Sequence, residues 1–286
     1  MYIWVVLSTF VVALFSYNLS VRPDSRDLYV TPQAQAVVSK LLIQHEAVTK
    51  YVKTQYDLAK KGTGETMFLG PVDLTITVNP DTNAEEGILT NTVLGGFRPE
   101  AGEVSKLYCI NSRDINKKVA YGEAAPSGMN SDIKSCIGST GENYARLYVV
   151  TTMPIPVRWR ARGAKGSTIN APNADLIKAI KKNSTQGVKV GYVVAKDKYT
   201  NQNQAIDEKL YKDSSGVALK VNDFDYFISG FQDKLVPIPN AISANGLFGT
   251  GENDCKMGGK KDSGEDSDKN KDKGLSNCLI VMSVVR

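Results

Sequence analysis

Four groups of side chains in this chain could do chemistry: its cysteines, its single histidine, a carboxylate run and a basic aromatic cluster. Cys109, Cys136, Cys255 and Cys278 are even in number, and none is spaced CxxC. Zinc ligands come in close pairs, so this spacing disfavours a metal site. In an oxidising compartment the simplest pairing is sequential, Cys109 with Cys136 and Cys255 with Cys278. The other connectivities stay open, as do four free thiols. Each such bridge would close a loop of about 25 residues and contribute roughly 3 kcal/mol by the chain-entropy model. His45 is the only histidine, which excludes histidine-dependent triads elsewhere in the chain.

Asp266, Asp268, Asn270 and Asp272 alternate like the start of a calcium loop. Lys271 stands where the sharp turn needs glycine, and the closing bidentate glutamate is missing, so the run reads as a solvated charge segment. Arg158, Trp159, Arg160 and Arg162 form a candidate surface-binding cluster for an acidic surface or a polysaccharide. The same RWRAR pattern fits a strand with one exposed face equally well. Gly163 to Thr168 lacks the Walker spacing, and Gly249-Thr250-Gly251 lacks a third glycine. No GxSxG, HExxH or SxxK motif is present, so the sequence supports neither an enzyme nor a cofactor. The net charge of +5 is spread along the chain, which makes nucleic acid a poor candidate for the primary partner.

The elements that must carry these residues fall into three parts. Met1 to Tyr17 contains no charged side chain. As a helix it would be roughly 25 Å long. Continued to Val21 it just spans a bilayer core of about 30 Å. Tyr2, Ile3, Trp4, Val5, Val6, Leu7, Phe10, Val11, Leu14 and Phe15 make every face apolar, so the segment belongs in lipid or in the middle of an assembly. Arg22 and Arg26 follow it, which by the positive-inside rule would keep the body in the cytoplasm. A short basic leader removed from in front of Met1 would resolve the conflict with an exported, disulfide-bonded body. Pro23 is expected to break or kink the helix.

Residues 23–61 form the second part, a linker and an amphipathic helix. Thr31 is a candidate N-cap with Pro32 at the first helical position. Val38, Leu42, His45, Thr49, Val52 and Tyr56, widened by Val37, Leu41 and Val48, make one stripe, which ends at Lys60, Lys61 and Gly62. His45 lies on this stripe and reads as a packing residue. The third part, 62–286, turns strand-like: Thr66–Val78, Val104–Asn111, Ala145–Met153, Gly187–Lys196 and Val217–Val221 are rich in β-branched and aromatic residues. Cys278–Arg286 is nearly all apolar, as a doubly covered strand would be. Asn173 can cap a helix over Ala174–Lys182, and Gln204–Tyr211 is a second short candidate. The stretch 258–274 is low-complexity and expected to be an exposed, mobile loop. The fold class expected is α+β: a long N-terminal helix interrupted near Pro23, its C-terminal half packed on a mainly antiparallel sheet.

An uncharged N-terminal helix, a proline break at Pro23, a long helix from Pro32 to Lys60 and a β-rich body together resemble the type IV pilins and pseudopilins. The resemblance covers about a fifth of the chain. It implies a prepilin peptidase that removes a basic leader, a mature Met1 as in some type IVb members, and a C-terminal disulfide similar to Cys255 with Cys278. Val5 stands where the family usually carries glutamate, which points to a large minor or divergent subunit. The function implied is a structural subunit of an extracellular pilus or pseudopilus. Its partners would be copies of itself or other pilin subunits, with storage in the inner membrane before assembly. The alternative is a bitopic, membrane-anchored periplasmic component of a secretion or conjugation apparatus. The pilin reading expects the codons upstream of Met1 to encode a short basic leader ending in glycine. Genomic sequencing there checks it, and an initiator codon at Met1 counts against it.

Overall fold

The computed structural model describes residues 25–63, 70–71, 77–78, 80–82, 85–86, 102–111, 136, 145–162, 168–183, 188–196, 223–230, 236–240, 242, 247, 255–256 and 275–285. The apolar segment Met1–Val21, Pro23, the strand candidate Val217–Val221, the helix candidate Gln204–Tyr211 and the stretch 258–274 lie outside them, as does most of Thr66–Val78.

A long helix, α1 (Ser25–Lys60), precedes a set of strands. These are β1 (Gly70–Pro71), β2 (Thr77–Val78), β3 (Glu85–Glu86), β4 (Val104–Asn111), β5 (Ala145–Pro154), β6 (Arg160–Arg162), β7 (Thr168–Pro172), β8 (Lys189–Ala195), β9 (Tyr226–Ser229), β10 (Val236–Ile238) and β11 (Leu275–Val284). A second helix, α2 (Ala174–Asn183), lies between β7 and β8. The main sheet has seven strands in the order β1-β4-β5-β11-β8-β9-β10. All its pairs are antiparallel. The architecture is α+β.

β11, the last strand in sequence, sits between β5 and β8 and is buried from Ser276 to Ser283. Side chains alternate across a strand, so Leu279 and Val281 turn to one face while Ile280 and Met282 turn to the other. The first face packs with Ala34, Val38 and Leu41 of α1 and Leu176, Ala179 and Ile180 of α2. The second packs with Tyr108, Ile110, Tyr148, Val150, Val193 and Ile228. The register on β8 shifts between Leu275 and Leu279. At this bulge Asn277 exchanges hydrogen bonds with Lys256, and its carbonyl accepts from the Ile155 amide at 2.6 Å.

α1 starts earlier than its local signals predict. Thr31 is not its N-cap, and Pro32 lies inside the helix. Proline's fixed φ is helical, so the helix can continue through it. Its missing amide loses the hydrogen bond to the carbonyl four residues back, that of Leu28, and its ring crowds that carbonyl, together a cost of about 3 kcal/mol. The other end follows the sequence. Gly62 has φ +76°. Its amide bonds Ala59 at 3.0 Å, and the Thr63 amide bonds Leu58 at 3.0 Å. That pair is a Schellman motif, and it needs a residue tolerant of positive φ. α2 is capped as expected, with the Leu176 amide donating to Asn173 Oδ1 at 3.0 Å.

Two disulfides join Cys109 with Cys136 and Cys255 with Cys278, the sequential pairing. Cys136 packs among Val52, Tyr56 and Leu147 at the C-terminal half of α1. Cys278 ties the bulged start of β11 to Cys255.

Gly191 in β8 faces the backbone of β9, where a Cβ would run into the Ser229 carbonyl and Ile228 Cγ2. Neither strand can retreat without losing its ladder. Gly191→Ala is therefore expected to cost about 3 kcal/mol, at the upper end of overpacking effects. The denaturant midpoint measures it; an unchanged midpoint contradicts the tight β8–β9 approach.

Candidate functional site

α1 is the element on which the sequence concentrates its signals, and its two sides differ. Ala34, Val38, Leu41, His45, Val48, Val52, Tyr56 and Ala59 recur at steps of three and four and are all buried. The predicted stripe is thus present, with Leu42 and Thr49 at its margin and half-buried. The opposite side leaves Pro32, Ala36, Ile43, Glu46, Lys50, Lys53, Thr54, Asp57 and Lys60 exposed. Charges there alternate in sign at four-residue spacing, Glu46 before Lys50 and Lys53 before Asp57, which supports an exposed helix face. Lys60 Nζ lies 5.0 Å from the Tyr56 ring.

Under the middle of α1 the sheet is polar. His45 Nδ1 meets Thr151 Oγ1 at 2.9 Å, and its Nε2 meets Ser283 Oγ at 2.9 Å. Thr151 Oγ1 is also 2.9 Å from Ser105 Oγ, and Ser283 Oγ is 3.3 Å from Thr49 Oγ1. Ser105, Thr151 and Ser283 come from the adjacent strands β4, β5 and β11, so one imidazole gathers a row of hydroxyls across the sheet. Burial holds the His45 pKa down, to about 3, because the cation would leave water. The imidazole is therefore neutral at ordinary pH, donating through one nitrogen and accepting through the other. This is a satisfied packing histidine, as its place on the stripe implies. Gln44 beside it is buried with neither amide atom bonded. Such an orphaned group costs roughly 1–3 kcal/mol.

The basic aromatic cluster is not one surface. Val157–Trp159 is a 3-10 turn, and only Arg160–Arg162 is strand, paired with β7. Trp159 is buried in the core with Ile155, Leu176 and Val281, so it cannot stack on a ligand. The reason is tertiary. The Trp159 carbonyl accepts from the Asn173 amide at 2.8 Å, which draws the turn under the start of α2. Arg160 Nε donates to the Ile155 carbonyl at 2.8 Å. Arg158 covers the outer side of the indole at 5.3 Å, and Arg158 and Arg162 are the exposed members.

The polar partners of His45 escaped the sequence reading. Their signal was there in part: Ser105, Thr151 and Ser283 are hydroxyl residues at otherwise apolar, inward strand positions. Ala34 also escaped it because it lies before the periodic run that starts at Val38, and Gln44 because its amide is polar by type. The apolar set Tyr2 to Phe15 and Pro23 lie outside the described residues. Among the described residues no cluster of His, Cys, Asp and Glu could hold a metal ion, and no helix is long and apolar enough to cross a membrane. No family model, curated protein or solved structure matches the chain.

Removing Trp159 leaves a core cavity, whereas removing Arg158 strips a surface side chain. Trp159→Ala is expected to cost about 3–5 kcal/mol, and Arg158→Ala within about 0.5 kcal/mol. Equilibrium unfolding of both variants checks the assignment; equal, small losses would return Trp159 to the surface.

Proposed function

We propose that this chain is a structural subunit of an extracellular type IV-like pilus or pseudopilus, assembling through its apolar segment Met1–Val21. The observation that carries the reading is α1. It is a 36-residue helix that follows the apolar segment by a few residues, docks by one stripe on an antiparallel sheet and leaves its other side exposed. A helix of that length spans about 54 Å.

Physical reasoning supports the same assignment. An uncharged helix satisfies its backbone internally, so it is stable in lipid and equally stable among other apolar helices. The subunit is thus stored in the inner membrane and exchanges lipid for neighbouring copies as it joins a filament. A head-to-tail contact that does not close then propagates as a helix of subunits. The disulfides suit an exported body. Val5, in place of the usual glutamate, favours a minor or divergent subunit.

Deleting Met1–Arg22 tests the proposal. The truncated chain is expected to remain a soluble monomer by sedimentation and to give no filaments by electron microscopy, while the intact chain is incorporated into them. Filaments that incorporate the truncated chain would sink the reading.

A further inference from the structure

The hydroxyl row divides the footing of α1 in two. On the N-terminal side Ala34, Val38 and Leu41 pack with Met153, Leu279 and Val281. On the C-terminal side Val48, Val52 and Tyr56 pack with Leu107, Leu147 and Val149. Both footings are apolar and repeat every three to four residues, so by themselves they define the position of the helix only weakly. A buried polar contact is the device that fixes such a register. His45 supplies it, touching two strands directly and a third through Thr151.

We propose that His45 is an acid-operated latch: neutral, it keys α1 to β4, β5 and β11, and protonated, it releases the helix from a sheet that stays folded. The surroundings offer the cation little. β5 presents Leu147, Val149, Thr151 and Met153 on this side, and β11 presents Leu279, Val281 and Ser283. Tyr192 of β8 also packs here, and α1 carries Tyr51 and Tyr56. α2 meets the far end of α1 through Leu176, Ala179 and Ile180. On α1 itself Glu46 and Lys50 are exposed and Lys40 is half-buried. Glu103, just before β4, is the one nearby buried carboxyl among the described residues, and alternation places it on the side of Ser105. Burial is what lowers the His45 pKa.

The sign follows. A released histidine titrates near 6.5 and the latched one near 3. The released state therefore holds one more proton inside that window. Attachment is at full strength above pH 6.5 and weakens by up to tenfold per pH unit as pH falls toward 3. The sheet has its own support, since the core on its other face contains no residue of α1 or α2. The latch does not rest on the filament reading.

With a single histidine, the imidazole signal of the full chain in detergent needs no assignment. Nuclear magnetic resonance is expected to show it neutral down to at least pH 5. Below that, amides of Leu41–Val52 should lose hydrogen-exchange protection, after correction for intrinsic rates, while those of Val149–Thr151 and Ile280–Met282 keep it. His45→Gln, which keeps a donor and an acceptor but cannot titrate, should hold α1 through the same acid range. An imidazole titrating near 6.5 with α1 still protected overturns the latch, as does loss of helix and sheet protection in one step. The same acid release in His45→Gln also overturns it; should that variant not fold, the measurements on the unaltered chain decide.

Discussion

Leu279, Ile280, Val281 and Met282 are all buried, so the strand between β5 and β8 has no side to give to water. An antiparallel sheet commonly keeps one wet face. Here both faces of the centre are covered in the folded chain. α1 and α2 together cover one. On the other, Ile242 and Leu247 pack against the side chains of the sheet. The buried stripe of α1 and the placing of α2 beside it serve that covering. The disulfide at Cys278 and the paired hydrogen bonds of Asn277 then fix where this strand enters the sheet.

Much of this was legible because it is local. The 3.6-residue period of Val38 to Tyr56 gave the buried stripe. The β-branched runs gave β4, β5, β8 and β11. Asn173 and Gly62 acted as cap and stop through short-range hydrogen bonds that the residue types announce. What was not legible is decided at a distance. The partners of His45 lie 106 and 238 residues away in sequence. Trp159 sits in an alternating pattern that suits an exposed strand, and only the approach of Asn173 turns it inward. Thr31 and Pro32 carry strong start signals, yet the helix runs through them, against the local cost of an interior proline. Nothing local in Cys278–Arg286 says which strands it separates.

The polar row under α1 illustrates how buried polarity is tolerated. Each hydroxyl there can donate or accept, so a chain of them can adapt to whichever imidazole nitrogen holds the proton. The row is therefore satisfied without any ion. Gln44, one residue away, has no such partners and stands as the costly counterpart. Placing the adaptable groups beneath the helix axis and the misfit beside it gives α1 one defined seat.

The position of β11 has a consequence in time. The chain is made from its N-terminus, and β11 is the last of the described strands to emerge. Until it arrives, β5 and β8 have no common neighbour, and α1 has only half its floor. The strands made first must wait with apolar sides uncovered while most of the chain is still being synthesised. Sheets closed by such distant pairings form slowly.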